Sequence, residues 1–176
     1  MRQYIGGGLS ALVPRLIGQT EEAKQRKAAG RRPSITWTAD SFIEGLTERF
    51  GDQVAAVARR ALDWAASRSA RIQWGRGQNG SLSVKVDVDG VVHHTFTIYG
   101  DGSVEVPFGA MKSPHETLEA REAVRLEIAA AIGDVIPIDG TERYPRFSVE
   151  VLEPEDALTE FLGVWDRFLD RIDSAS

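Results

Sequence analysis

The sequence lacks cysteine altogether and contains only three histidines in 176 residues. The absence of cysteine excludes disulfides, thiol nucleophiles and cysteine-ligated metal sites, and three histidines leave little for a zinc site. No apolar run approaches the roughly 20 residues that a membrane-spanning helix needs, and the first residues lack the charged-then-apolar order of a signal peptide. We therefore predict a cytoplasmic protein with no membrane partner, no metal and no cofactor.

The composition is that of an ordinary globular protein. Hydrophobic residues make up 42% of the chain and charged residues 27%. The length fits one domain, since domains typically hold about 100 to 200 residues. Gly30-Arg31-Arg32-Pro33 ends a polar, weakly helical run just before Ile35. We therefore divide the chain into a basic appendage and linker, residues 1–34, and a single folded domain, residues 35–174.

The formal net charge of -5 conceals an opposition between these two parts. Residues 1–33 hold seven Lys/Arg and two Glu and carry +5, whereas the remainder holds 14 basic and 24 acidic residues and carries -10. Within the acidic part, residues 59–85 are an exception, with six basic residues against a single Asp. This basic stretch is the best candidate for a surface that faces anions.

Two helices are predicted at the start of the domain. Thr38 is a good N-cap for the first, and Gly51 supplies a C-cap after apolar residues at helical spacing. Asp52 is predicted to cap the second helix, whose apolar stripe extends to Ala65.

Two more helices are predicted in the second half of the chain. Ser113-Pro114-His115-Glu116 has the form of a capping box with proline at the first helical position, so a helix is expected from there to about Ile132. The last helix is opened by Pro154 and carries apolar residues on one face as far as Ile172.

Between these helices the apolar period changes to two, which is typical of half-buried strands. The alternating segments are residues 71–74, 82–88, 92–98, 104–108 and 147–152. Asp89-Gly90 between two of them predicts a hairpin with a type I′ turn. We therefore expect an α+β fold: an antiparallel β-meander of about five strands with helices packed on one face.

The motifs of the chain favour a binding module over an enzyme. Residues 75–80 match G-x-G-x-x-G, but a dinucleotide site needs a helix after the glycines, and these lie between two predicted strands. His93 and His94 must face opposite sides of a strand, so they cannot share a metal ion. The chain has no Ser-His-Asp order, nucleophile elbow or P-loop.

A binding interpretation of the Gly-rich loop remains. Trp74, Arg76, Gln78 and Asn79 place an aromatic face, a guanidinium and two amides around flexible backbone. Such a set is suited to phosphates and unstacked bases. With the arginines of the basic stretch these residues form the predicted nucleic-acid-binding patch, which consists of Arg59, Arg60, Arg68, Arg71, Trp74, Arg76, Gln78 and Asn79.

Trp, Gly and Pro positions spread over residues 37–173 form a recognisable pattern. They include Trp74-Gly75-Arg76-Gly77, Gly80-Ser81, Gly100-Asp101-Gly102, Ile136-Pro137 and Trp165. The pattern resembles an uncharacterised prokaryotic C-terminal module with a Trp-Gly-x-Gly…Gly-Ser signature, often found behind nuclease-like or restriction-type domains. The resemblance implies an accessory role in nucleic-acid processing or defence, with nucleic acid or a nuclease-type protein as partner, and it implies no active-site residues.

The alternative function is a protein-interaction domain. An apolar segment near the N-terminus has no partner inside its own stretch, and its members are Leu9, Leu12, Val13, Leu16 and Ile17. These residues are suited to docking on a second copy, giving a homo-oligomer, or on another protein, while the acidic domain stays clear of nucleic acid. A third class is a small-molecule enzyme, which would need carboxylates clustered in a cleft.

Overall fold

The computed structural model describes residues 36–175. The predicted appendage, residues 1–34, and its apolar docking segment lie outside this range. The helices are α1 (Ala39–Phe50), α2 (Asp52–Ser67), α3 (Leu118–Ile132) and α4 (Glu155–Ala175). The strands are β1 (Arg71–Trp74), β2 (Ser81–Val88), β3 (Val91–Tyr99), β4 (Ser103–Glu105) and β5 (Arg146–Ser148). Short 3-10 helices cover Phe108–Ala110, Ile138–Glu142 and Val149–Leu152.

The five strands form one sheet in the order β1-β2-β3-β4-β5, with each neighbouring pair antiparallel. The α+β fold and the β-meander predicted from the sequence are therefore confirmed. The turn between β2 and β3 has positive φ at both central residues, 49° at Asp89 and 79° at Gly90. Positive φ at both positions is what a type I′ turn requires, so the predicted turn is confirmed as well.

One face of the sheet is apolar across its full width. Trp74, Leu82, Ile98, Val104 and Phe147 lie opposite one another in register from β1 to β5. All but Trp74, which is half-buried, are buried in the core. Because side chains alternate along each strand, this register commits the intervening residues to the opposite face.

The helices cover this apolar face through aromatic contacts. The ring centroid of Phe96 on β3 lies 5.8 Å from that of Trp64 on α2. It also lies 5.4 Å from Phe161 and 5.9 Å from Trp165, both on α4. Aromatic rings at these separations interact favourably beyond the apolar area they bury. The helices α2 and α4 are thus held to the same face of the sheet.

Ion pairs join α3 to α4. Glu127 of α3 accepts hydrogen bonds from Arg167 at 2.9 Å and from Arg171 at 2.8 Å, both on α4. One carboxylate of α3 thus pairs with arginines on two successive turns of α4.

Arg125 is a buried cation inside α3, only 6% exposed. Its guanidinium donates two hydrogen bonds to Glu122, at 2.9 and 2.8 Å, and a third to Asp134 at 2.9 Å. The bond with Arg125 lowers the pKa of Glu122. This fully paired charge ties the segment after α3 back onto the helix.

The predicted start of the first helix is confirmed, whereas the cap predicted for the second is wrong. Thr38 Oγ1 accepts from the backbone N–H of Ser41 at 3.2 Å, and Ser41 Oγ accepts from that of Thr38 at 3.0 Å. This reciprocal pair is a capping box. Asp52 is already the first residue of α2, and Gly51, which ends α1 at a φ of 89°, occupies the N-cap position.

The predicted start of α3 at Ser113 is wrong. The helix begins at Leu118, and Thr117 caps it by accepting from the N–H of Ala120 at 3.1 Å. His115 explains the shift, because its ring stacks on Phe168 with centroids 4.0 Å apart and its Nε2 lies 3.1 Å from the Phe168 carbonyl oxygen. This contact with α4 holds residues 113–116 in a turn despite their local helix signal.

The strand predicted over residues 147–152 is only partly correct. The strand β5 ends at Ser148, and the chain continues as a 3-10 helix over Val149–Leu152. Val149 and Leu152 are both buried. A spacing of three places them on one side of a 3-10 turn, whereas in a strand they would face opposite sides.

We predict that Gly100→Ala destabilises the domain. A Cβ at this position would collide with the backbone carbonyl oxygen of Asn79, so two backbone segments would have to separate. We expect the free energy of unfolding, measured by urea denaturation, to fall by about 2 kcal/mol or more. Gly77→Ala is the control, because a Cβ there has no neighbour within 4 Å. Equal losses in the two variants would refute the prediction.

Two buried histidines flank Phe168 and make stability depend on pH. His93 is 2% and His115 3% exposed, and burial lowers the pKa of both. Arg171 lowers the pKa of His115 further, while the Phe168 carbonyl and Glu127 raise it. The folded domain therefore takes up fewer protons than the unfolded chain, whose histidines titrate at about 6.5. Stability should be full above about pH 6.5 and should fall as the pH drops below it.

The variant His93→Leu tests this dependence. His93 Nδ1 is buried without a hydrogen-bond partner in the described part of the chain, so an apolar side chain removes a titrating group and no known bond. Urea denaturation at about pH 7.5 and about pH 5.5 should show a smaller loss of stability for His93→Leu than for the unmodified chain. The same loss in both would contradict the assignment.

Candidate functional site

The arginines of the predicted nucleic-acid-binding patch lie apart in the structure, and several already have partners. Arg60 of α2 donates to Thr159 Oγ1 at 2.9 Å. Arg68, just after α2, lies 2.7 Å from the carboxylate of Asp166. Arg59 is exposed on α2 and lines a groove described below. Two of these three guanidiniums are thus engaged with α4.

The two patch residues of β1 point to different sides of the sheet. Arg71 is on the outer face, with Nη2 3.2 Å from Asp87 Oδ2. Trp74 is on the inner face, with its ring centroid 5.5 Å from that of Phe42 on α1. Its aromatic face therefore contributes to the core.

The Gly-rich loop joins β1 to β2, as the sequence predicts. Arg76 and Gln78 are exposed, and neither has a hydrogen-bond or ion-pair partner within residues 36–175. Asn79 Oδ1 accepts from Arg49 Nη1 at 3.3 Å. Trp37, which the sequence analysis did not single out, donates from Nε1 to the Gly77 carbonyl at 2.9 Å and so holds the loop against the start of the domain.

A shallow groove between α1 and α2 encloses about 780 Å³. Asp40, Glu44 and Glu48 of α1 line it at intervals of four residues, which places them along one face of the helix. Asp63 and Arg59 face them from α2. We call this feature the acidic groove. Its four carboxylates have no hydrogen-bond or ion-pair partner among the residues that the structure describes.

The acidic groove also has an apolar component. Ile43 of α1 and Leu62 of α2 line it, and both are half-buried where they pack against the core. The sequence pattern predicts only that these two residues belong to the apolar stripes of their helices. The packing of α1 beside α2 is what brings them together with the four carboxylates in one groove.

The outer face of the sheet is polar across its width. Gln73, Ser83, Thr97, Glu105 and Arg146 lie opposite one another in register from β1 to β5. Ser83 and Thr97 share a hydrogen bond of 2.9 Å, and Arg146 donates to Glu105 at 2.9 Å. Polar side chains on this face thus form hydrogen bonds with one another across neighbouring strands.

Within residues 36–175, no group of three or more His, Asp or Glu side chains is arranged to hold a metal ion. No helix in the same range is long and apolar enough to cross a membrane. Comparison of the chain with known protein families, with curated proteins and with solved structures finds no significant match.

Proposed function

We propose that this domain is a protein-interaction module whose acidic groove binds a cationic, amphipathic segment of a partner protein. One observation carries the proposal: four carboxylates without protein partners border an apolar floor, in the part of the chain that the structure describes. A ligand that matches both features must present Lys or Arg side chains beside apolar ones.

Electrostatics favour such a partner. The acidic groove holds four carboxylates against the single cation of Arg59, and the chain after Pro33 carries -10. The local and the overall charge therefore have the same sign, and both attract a cationic segment during approach. Because these groups are exposed, the attraction should weaken as salt screens it.

The apolar floor supports binding by a helix. An amphipathic helix placed in a groove inserts apolar residues from one face and keeps its charged residues at the rim. Ile43 and Leu62 supply apolar contact at the base. The carboxylates of Asp40, Glu44 and Glu48 are spaced along α1, so they can meet cations on successive turns of such a helix.

A nuclease-type partner and a nucleic-acid-binding patch, both inferred from the sequence, remain predictions. A nuclease-type protein, the partner class that the resemblance implies, is compatible with the acidic groove. The nucleic-acid patch of the Gly-rich loop is less well supported. Arg60 and Arg68 are already engaged by side chains of α4, and Trp74 packs against Phe42.

We predict that a labelled synthetic helix of Leu and Lys at amphipathic spacing binds the full chain, and that its counterpart with Glu in place of Lys does not. Glu44→Lys should weaken binding of the Lys peptide about tenfold, because one attraction becomes a repulsion of similar size. Fluorescence anisotropy at low and moderate salt measures both effects.

The matched control is Glu160→Lys. Glu160 is also an exposed glutamate inside a helix, α4, and it lies outside the acidic groove. The same change in net charge there should alter the dissociation constant by less than about twofold. Equal weakening by the two variants would show unspecific attraction to the acidic domain and would overturn the proposal.

A further inference from the structure

The outer face of the sheet carries a line of basic residues on its β1–β3 side. Arg71 of β1 lies opposite Lys85 of β2, and Lys85 lies opposite His94 of β3. The three residues are therefore neighbours across three strands, which in a sheet lie about 4.8 Å apart. We call them the cationic row.

The centre of the cationic row is not neutralised by an acid. Lys85 Nζ donates to the neutral Gln73 Oε1 at 2.7 Å, and no carboxylate of the described residues forms an ion pair with it. Arg71 is paired with Asp87 but keeps 58% of its side chain exposed. Lys112, also exposed, adds a further cation beside His94. Arg71, Lys85 and Lys112 are thus three permanent cations near His94, and of these only Arg71 is paired with a carboxylate.

The pKa of His94 reflects the positive charges that surround its imidazole ring. Burial lowers its pKa, and the nearby positive charges of Lys85, Lys112 and Arg71 lower it further. Charges on two strands and on the segment after β4 therefore raise the electrostatic potential at one imidazole. An anion bound there would reverse this effect and favour the protonated ring.

The surroundings of the row suit a polymer with a charged backbone. Gln73 is exposed and Ser83 is half-buried next to the cations, and both are neutral polar residues. The guanidinium of Arg146 covers one face of the half-buried Tyr99 ring at 3.7 Å, so a base cannot stack on that face. Recognition would therefore rest on charge and hydrogen bonds, without base stacking.

We propose that the cationic row binds the phosphodiester backbone of single-stranded nucleic acid. A single strand is flexible and can lie along the sheet face with several phosphates near the cations, whereas a rigid and convex duplex brings fewer of its phosphates to one row of cations. This site shares no residue with the acidic groove, so either proposal can fail without the other.

The test compares two double variants of the full chain. Lys85→Gln/Lys112→Gln removes two cations at the row and leaves the pair of Arg71 and Asp87 intact. Arg59→Gln/Arg76→Gln removes two exposed cations of the predicted patch. All variants keep the seven cations of residues 1–33. Anisotropy with a labelled oligothymidylate of about 20 nucleotides should show roughly tenfold weaker binding for the first variant only, with a salt slope smaller by about 1 to 2.

A second readout locates the ligand. Saturating oligothymidylate should raise the pKa of His94, followed by NMR titration of the imidazole signals and assigned with His94→Gln. A matched duplex should bind more weakly than the single strand. An unchanged His94 pKa at saturation would overturn the proposal. Weakening confined to Arg59→Gln/Arg76→Gln would also overturn it and move the site to the Gly-rich loop.

Discussion

The contact of Phe96 with three aromatic rings is the interaction on which the rest of the structure depends. It lies in the central strand β3 and meets Trp64 of α2 and both Phe161 and Trp165 of α4. Because it points inward, the alternation of the strand commits its neighbour Thr97 to the other face. On its other side the β2–β3 pairing shifts register between Ser83 and Lys85, which brings His94 opposite Lys85 on that outer face. Covering one face of the sheet with helices in this way leaves the opposite face polar.

This arrangement places acidic and basic residues on different layers of the domain, a separation that the net charge of -5 does not reveal. The helix layer displays carboxylates, with Asp40, Glu44 and Glu48 on one side of α1. The outer sheet face gathers cations around Lys85 instead. Several of the remaining arginines form ion pairs between separate segments, such as Arg125 with Asp134 and Arg167 with Glu127. The two proposed binding surfaces therefore use different layers of the domain and opposite signs of charge.

The elements that could be predicted from the sequence are those with strong local signals. Alternation over β2 and β3 and the Asp89-Gly90 turn specify a hairpin through backbone preferences alone. The start of α3 could not be predicted from its capping signal, because His115 is held by Phe168 of a distant helix. The contact of Trp74 with Phe42 could not be predicted either, because it joins two separate elements.

The sequence by itself determined the classes of element, their order along the chain, and the opposition between a basic start and an acidic domain, because local propensity and composition suffice for these. Only the tertiary structure decided which charges are available to a ligand. Arg68 is engaged by Asp166 of α4, while Lys85 faces the neutral Gln73. Whether a charge is paired depends on packing between residues far apart in the chain, which no local pattern encodes.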